Sequence, residues 1–477
     1  MSVCTRRRFL VNAGCGLLGA AALGKTRILW AGAERWGTVA PAGPGAKYVP
    51  RVMAAAVRRQ EEYGMLWPGQ IYDGVEALEN YSRLARTAAG ELGIDFEMES
   101  QPIHSLEQAE AWVGRAAEKK ADGIFLILLD RQQHAWPTVG KAADSGIPTV
   151  VFAPIGTAFT TNTAGPAGRS GVYICSTDDF SQAVYGLKML KARAKLREMR
   201  FIVLEGDKRE DSRLEFFGTR LRRLPAKHFI ELYEKTAPDE EIRQIAASFL
   251  QRATRLAGAT EQDVLNGVRS FAVARRILES EEGDGITMDC LGALGPTGVS
   301  LPCISWARMN DCGVPAACEA DIEACVTHAL VQYLFDRPGF QQDPVPETAK
   351  NLLIGSHCSC PTRLNGFNQP PEPFYLSHHH GSRDAVPRTI WKVGQRVTVA
   401  DVLLESPVPR MVISAGEVTD NIAVPPAGGC VVAVGLKLDG VSETLDYPGF
   451  HQLFFYGDFK RQLQDYCKLS GIQPLVV

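Results

Sequence analysis

The stretch GVPAACEADIEACVTHALVQYLF (Gly313–Phe335) sets two carboxylates, Glu319 and Asp321, two residues apart beside apolar sequence. Val314 to Cys318 is a short apolar run. From Ile322 onward Cys325, Val326, Ala329, Leu330 and Tyr333 recur at helical spacing and mark one buried face. The pair therefore falls on a strand-to-helix turn, where a helix N-terminus favours negative charge and where open α/β sheets bind ligands. Two roles fit it: capping the helix, or chemistry at the sheet edge. Three more polar groups interrupt apolar segments in the same way: Asp289 in GDGITMDCLG, His357 in LLIGSHCSCP and His451 in YPGFHQLFFYGD. A buried carboxylate is costly unless a cation or hydrogen bonds offset it. A divalent ion shared by several such groups is the simplest compensation, and separate metal-free burial of each is the alternative. Oxygen-rich ligation with one imidazole suits Mn²⁺ or a similar ion better than a structural zinc.

Other polar residues near these segments are candidates for substrate contact. Arg308 and Asn310, just before the turn, are placed either to bind polar groups of a substrate or to serve as ordinary surface polars. In SHHHGSR (Ser377–Arg383), a strand would send His378 and His380 to one face and His379 to the other. His379 and Arg383 then offer a sugar or phosphate contact, against the plainer reading of exposed loop histidines. The chain has twelve cysteines but no Cys-x-x-Cys pair. Cys290, Cys303, Cys312, Cys318 and Cys325 crowd this region, and Cys358 and Cys360 follow it. Their spacing does not argue for zinc, and buried free thiols acting as small hydrophobes are expected.

These residues need a scaffold, and 477 residues with 45% hydrophobic and 22% charged composition exceed one ordinary core. After a Gly/Pro/Ala-rich spacer (Gly37–Gly45), helical and apolar extended patterns alternate. Val75–Leu92, Leu106–Lys119 and Gln133–Ser145 read as helices. Ile94–Ser100, Ala121–Asp130 and Ile147–Pro154 read as strands. Strands too uniformly apolar to be half-exposed indicate a parallel sheet covered on both faces. Gly156–Gly168 reads as a boundary, after which Gly171–Ser176 opens a second α/β unit. That unit carries helices over Asp178–Arg197, Pro238–Ala257 and Thr260–Glu281, and Asp289 ends one of its strands. From about Asn351 the texture changes to short strands broken by Pro and Gly. The expected fold is α/β, with two Rossmann-like, doubly wound, mainly parallel domains (46–165 and 166–350) followed by a β-rich, barrel-like domain (351–477).

The N-terminus reads differently. Thr5-Arg6-Arg7-Arg8-Phe9-Leu10, followed by an uncharged apolar run to Gly24, resembles a twin-arginine export signal, with cleavage expected after Ala33 or nearer Ala20–Ala22. The run is shorter than the roughly 20 residues needed to span a bilayer, which argues against an anchor. Loss of residues 1–33 would remove Arg6, Arg7, Arg8, Lys25 and Arg27 and no acidic residue, taking the net charge from −3 to −8. No later basic tract or aromatic–basic interleaving appears, so nucleic acid is excluded as an expected partner. The expected location is periplasmic or at the cell surface, reached through the twin-arginine machinery.

ITMDCLG, LPCISWARMNDCGVPAACEAD, NLLIGSHCSCP, GQRVTV and FHQLFFYGD follow one another in an order that resembles the L-fucose isomerase-like family, which is related to L-arabinose isomerases. The resemblance is best from Gly285 to the C-terminus and only architectural over residues 46–280. It implies Mn²⁺ bound between acidic residues of the middle domain and a histidine of the last, interconversion of aldoses and ketoses, and a homo-oligomer. Carried over, the first acidic ligand falls on or near Asp289, the second on the CEAD turn without separating Glu319 from Asp321, and the histidine on His451. His357 falls on a segment lining the site. The implied mechanism makes Asp321 and Asp289 the acid/base candidates, with Glu319 and His451 holding the metal. Two departures stand out. An additional histidine of the arabinose isomerases has no match (Val345 lies about there), and those enzymes are usually cytoplasmic. Export suggests two competing readings, a glycoside hydrolase using the same carboxylates on a monosaccharide or oligosaccharide substrate, and a non-catalytic sugar-binding protein.

Overall fold

The computed structural model describes residues 37–61, 65–66, 70–71, 73–131, 133–423 and 432–477, so the proposed export signal lies outside the described residues. No helix among the described residues is long and apolar enough to cross a membrane.

Apolar runs make the interior strands of the first sheet. β1 (Arg51–Val57), β2 (Asp95–Met98), β3 (Gly123–Leu128), β4 (Thr149–Ala153) and β5 (Val172–Ser176) lie parallel in the order β2-β1-β3-β4-β5. Alternate residues feed two cores, with Val52, Ala54, Phe125 and Phe152 in one and Met53, Ala55, Ile124 and Val151 in the other. Burial on both faces explains why these strands are apolar throughout. The intervening helices begin on side-chain caps. Asp73 accepts from the N–H groups of Val75 and Glu76 ahead of α1 (Gly74–Leu92), and Ser105 accepts from Gln108 ahead of α2 (Leu106–Glu118). Two expectations change here. Val172–Ser176 pairs along its whole length with β4, so it closes the first sheet instead of opening the second unit. The Gly156–Gly168 boundary holds a short helix, Thr160–Ala167.

α3 (Ser181–Glu198) leads into the second sheet. β6 (Arg200–Leu204), β7 (Glu210–Arg213), β8 (Arg220–Leu224), β9 (Gly285–Met288) and β10 (Ala316–Cys318) run in the order β10-β9-β6-β8-β7. All pairs are parallel except β7–β8. β9 and β10 pair Met288 with Cys318, so Asp289 and Glu319 are the next residues out of neighbouring strands at the carboxyl edge. α4 (Glu261–Ser280) and α5 (Cys303–Asp311) pack on this sheet, and α6 (Ile322–Phe335) follows β10. α6 packs against both α3 and a barrel strand, and its apolar circumference matches burial on nearly every side.

The C-terminal region closes a six-stranded antiparallel barrel. Its strands are β11 (Phe340–Glu347), β12 (Leu352–His357), β15 (Arg396–Leu403), β16 (Arg410–Asn421), β17 (Val432–Leu438) and β18 (Gln452–Tyr456). They run β15-β18-β11-β12-β17-β16, and β16 pairs back onto β15. Closure leaves no free edge in the ring. The barrel starts at Phe340, within what the sequence assigns to the middle domain. The hairpin β13 (Phe374–His380) and β14 (Arg383–Thr389) stands apart from the ring and packs on α4 and α5.

A barrel side chain completes the open edge of the second sheet. Among the described residues β10 has one strand neighbour, yet the Cys318 N–H donates to Gln341 Oε1 at 2.8 Å, and Gln341 Nε2 lies 3.5 Å from the Cys318 carbonyl. The amide stands in for a strand residue directly before Glu319. Gln341→Leu keeps the volume but leaves the buried Cys318 N–H without its acceptor, which costs about 1–3 kcal/mol. The expected outcome is a lower urea midpoint than wild type. An unchanged midpoint would show that the amide does not hold this edge.

Candidate functional site

The barrel register assembles one half of the site. Gln342 pairs with Gln452 and Asp343 with Ser356, which brings Asp343, His357 and His451 to the same rim of β11, β12 and β18. The turn from β10 into α6 supplies the other half. Glu319 and Ala320 adopt φ values of 62° and 57°, and His451 adopts 51°, so three non-glycine residues hold left-handed backbone. Each such conformation costs on the order of 1–3 kcal/mol and marks places where side chains are held to a purpose.

Here His451 Nδ1 donates to Asp321 Oδ2 at 2.7 Å. Its Nε2 lies 3.2 Å from Asp343 Oδ1 and 3.4 Å from Glu319 Oε2 without an aligned hydrogen bond to either. His357 Nε2 sits 3.9 Å from Glu319 Oε1, and the two imidazole rings meet edge to face with centroids 5.4 Å apart. Both histidines are buried, whereas the Glu319 side chain is 36% exposed, so the cluster opens to solvent on its carboxylate side. Asp321 caps the helix, one of the two roles considered for it, and also orients a histidine. Oδ1 accepts from the Ala324 N–H at 2.7 Å and caps α6, while Oδ2 holds His451.

Burial by itself lowers the pKa of His451, but contact with Asp321, Asp343 and Glu319 outweighs it and raises the imidazolium to about 11. Burial holds His357 below the usual histidine range. Glu319 is lowered, first by its contact with His451. Asp401, on β15, is pushed up to about 8, first by burial and then by Asp321 and Glu323, against the donation of the Phe450 N–H at 3.1 Å. Carboxylate oxygens therefore converge on one protonated ring. Glu319, His357 and His451 can each present a ligand atom within 4.8 Å of the others, a nitrogen-and-oxygen donor set that fits a divalent transition ion.

The structure brings together Glu319, Asp321, His357 and His451, and places Asp289 at the same carboxyl edge as the next residue out of the neighbouring strand, without a hydrogen bond or ion pair to any of them. Asp289 Oδ1 accepts from the Gly292 N–H at 3.0 Å and caps the short helix Cys290–Leu294, one strand away from Glu319. Of the expected ligands Asp289, Glu319, Asp321 and His451, the two that meet with ligand atoms close together are Glu319 and His451, joined by His357, while Asp321 bonds the His451 ring. Three expected substrate contacts serve the fold instead. Arg308 donates to the Gly37 carbonyl. Asn310 is buried and bonds the Ala316 backbone and Gln332. Arg383 pairs with Asp384 and donates to the carbonyls of Thr297 and Val299. His379 is buried beside Cys303 and Cys358, away from any exposed loop.

Asp343 and Asp401 were not anticipated. Their signals were weak but present: FQQD is a polar run entering a strand, and VTVADVLL carries one carboxylate inside apolar sequence.

No protein-family profile matches the chain, and neither does any curated protein. Among solved structures it is similar to the glucose-galactose binding protein GanP from Geobacillus stearothermophilus, at 14% identity and a TM-score of 0.19, over 61% of this chain and 92% of that one. It is also similar to a periplasmic solute binding protein of an ABC transporter from Actinobacillus succinogenes with bound D-allose, at 13% identity and a TM-score of 0.19, over 60% of this chain and 91% of that one. A solute binding protein from Burkholderia multivorans gives 14% identity and the same TM-score, over 61% and 95%. Superpositions this loose share too little geometry to bear on function.

Asp401 yields a pH prediction. Its folded pKa of about 8 exceeds the unfolded value of about 4, so the folded state binds more protons between those limits. Its contribution to stability therefore falls as pH rises from about 4 to about 8 and is level above. Asp401→Asn is expected to remove that slope, read as the difference between wild-type and variant urea midpoints across the range. Parallel curves would refute the shift.

Proposed function

We propose that this chain is an exported, metal-dependent sugar isomerase that interconverts an aldose and a ketose. The observation that carries the reading is the convergence of Glu319, His357 and His451 where the carboxyl edge of the second sheet meets the barrel rim. The strand order β2-β1-β3-β4-β5 and the parallel pairing of both sheets support doubly wound, Rossmann-like domains, whose carboxyl edges are ligand sites.

Mn²⁺ or a similar ion would be held by Glu319, His357 and His451. Asp343 faces the same imidazole nitrogen, and Asp321 fixes the ring through the other one, as carboxylates do behind metal-bound histidines. Bound there, the ion supplies Lewis acidity that makes the C–H beside an open-chain sugar carbonyl removable. Asp289 is the acid/base residue in this reading. Its bond to Gly292 engages Oδ1, and the carboxylate moves a proton from C2 of the aldose to C1 while the hydroxyl proton passes from O2 to O1. Glu319, the exposed member of the cluster, borders the side from which substrate enters. A twin-arginine signal in residues 1–33 and a homo-oligomeric state complete the proposal.

The test is metal analysis of the purified mature protein beside ¹H NMR of aldopentoses and aldohexoses in D₂O. The expected outcome is near-stoichiometric manganese in wild type and deuterium appearing at carbon beside the carbonyl. Glu319→Gln and His451→Ala should lose the metal with the fold retained. Asp289→Asn should keep it while exchange slows by about 10²–10⁴-fold. A wild type that takes up no metal when Mn²⁺ is offered removes this mechanism. Glycoside cleavage without exchange would put a hydrolase in its place, and sugar affinity without turnover a binding protein.

A further inference from the structure

Behind the carboxylate–histidine cluster lies a second cluster that the proposed reaction does not use. Cys290, Cys303, Cys318 and Cys358 are all buried, and they come from four separate places: the end of β9, the start of α5, the end of β10 and the residue after β12. β13 adds His379. Cys303, Cys358 and His379 can present ligand atoms within 4.8 Å of one another, as can Cys318, His357 and Cys358. Cys318 Sγ also bonds Ser359 Oγ at 3.2 Å, and Cys358 Sγ lies 3.5 Å from His357 Nδ1. None of these cysteines forms a disulfide.

Cys303, Cys318 and His379 come from separate segments and each presents a ligand atom within 4.8 Å of Cys358, a donor set of the kind that a tetrahedral ion uses. With Zn–S near 2.3 Å and Zn–N near 2.0–2.1 Å, ligand atoms lie about 3.5–3.8 Å apart, a modest contraction of the Cys303–Cys358–His379 triad, with Cys318 drawn in from its place beside Cys358. Sulfur-rich ligation with one imidazole selects zinc over manganese.

We propose that Cys303, Cys358 and His379 bind one zinc ion, distinct from the ion of the carboxylate–histidine site, and that Cys318, which lies within 4.8 Å of Cys358 in a neighbouring group, closes in as the fourth ligand. Binding releases three thiol protons to solvent and leaves one net negative charge. The Cys290 thiol, which contacts Cys318, and the Ser359 hydroxyl are donors placed to satisfy it. The ion joins the second sheet (Cys303, Cys318), the β13–β14 hairpin (His379) and the barrel (Cys358). Its position also bears on the first site. Cys318 immediately precedes Glu319, and Cys358 immediately follows His357, so zinc would fix the backbone that presents both residues. This inference does not rest on the isomerase reading.

The experiment is zinc counting by mass spectrometry on the mature chain, together with zinc-edge X-ray absorption of the same wild-type sample. One zinc per chain, with sulfur scatterers at about 2.3 Å, is expected. Cys358→Ser should lose it and His451→Ala should retain it, with circular dichroism reporting the fold. Should Cys358→Ser not fold, the wild-type absorption spectrum decides alone. No bound zinc, a shell of nitrogen and oxygen only, zinc lost in His451→Ala but kept in Cys358→Ser, or a disulfide among these cysteines would each overturn the proposal.

Discussion

The carboxylate of Asp321 is the joint on which the rest of this structure turns. One oxygen accepts from the Ala324 N–H and starts α6, and the other accepts from His451 Nδ1, 130 residues later in the barrel. α6 is buried between α3 and the barrel, so its entry angle sets how the α/β units and the barrel meet. A helix N-terminus favours a negative charge, and a buried imidazolium needs one. Asp321 meets both needs with a single side chain, one oxygen for each.

Other contacts around that joint follow the same logic, in which a residue of one unit completes an unfinished valence of another. Gln341 of the barrel gives the edge strand β10 the partner it lacks. Thr362 and Arg363 donate backbone N–H groups to Asp311 of α5, and the Thr362 hydroxyl adds a third bond. The thiol cluster lies between the same elements. The carboxyl edge of the second sheet is therefore held from several sides at Cys318, Asp321 and Asp311. A pair of strained residues, Glu319 and Ala320, can persist there because their surroundings over-determine them.

What the sequence revealed divides along the range of the interaction. Helices and parallel strands were legible because periodicity and capping are local, and Glu319, Asp321, His357 and His451 stood out as polar groups in apolar surroundings. The cap that Asp321 makes on α6 was legible, but its hold on His451 was not, since that bond depends on where the barrel brings residue 451. The membership of Val172–Ser176 was illegible because an apolar strand does not declare which sheet it joins. Asp343 was hidden because its meeting with His451 depends on barrel register, and the Cys303–Cys358–His379 contact because three remote segments create it. Arg308, Asn310 and Arg383 looked like substrate contacts, yet backbone carbonyls left over at turns claimed them. Polar residues near a site are consumed by unsatisfied main chain as readily as by a ligand.

Charge balance gives the site its direction. Glu319, Asp321 and Asp343 crowd one imidazolium, so as formal charges the cluster holds three negatives against one positive. Around a buried ring, such an excess on partly exposed carboxylates is unfavourable, though solvent screens it in part, and the strain at three left-handed residues adds to it. Neither is what a fold selected for stability alone would keep, because swapping one carboxylate for an amide would relieve the repulsion without loss of volume. A divalent cation between Glu319, His357 and His451 would displace the imidazole proton and cut the excess from two charges to one. The barrel rim and the strand-to-helix turn thus hold three carboxylates around one imidazole, an excess of negative charge that a divalent cation would reduce.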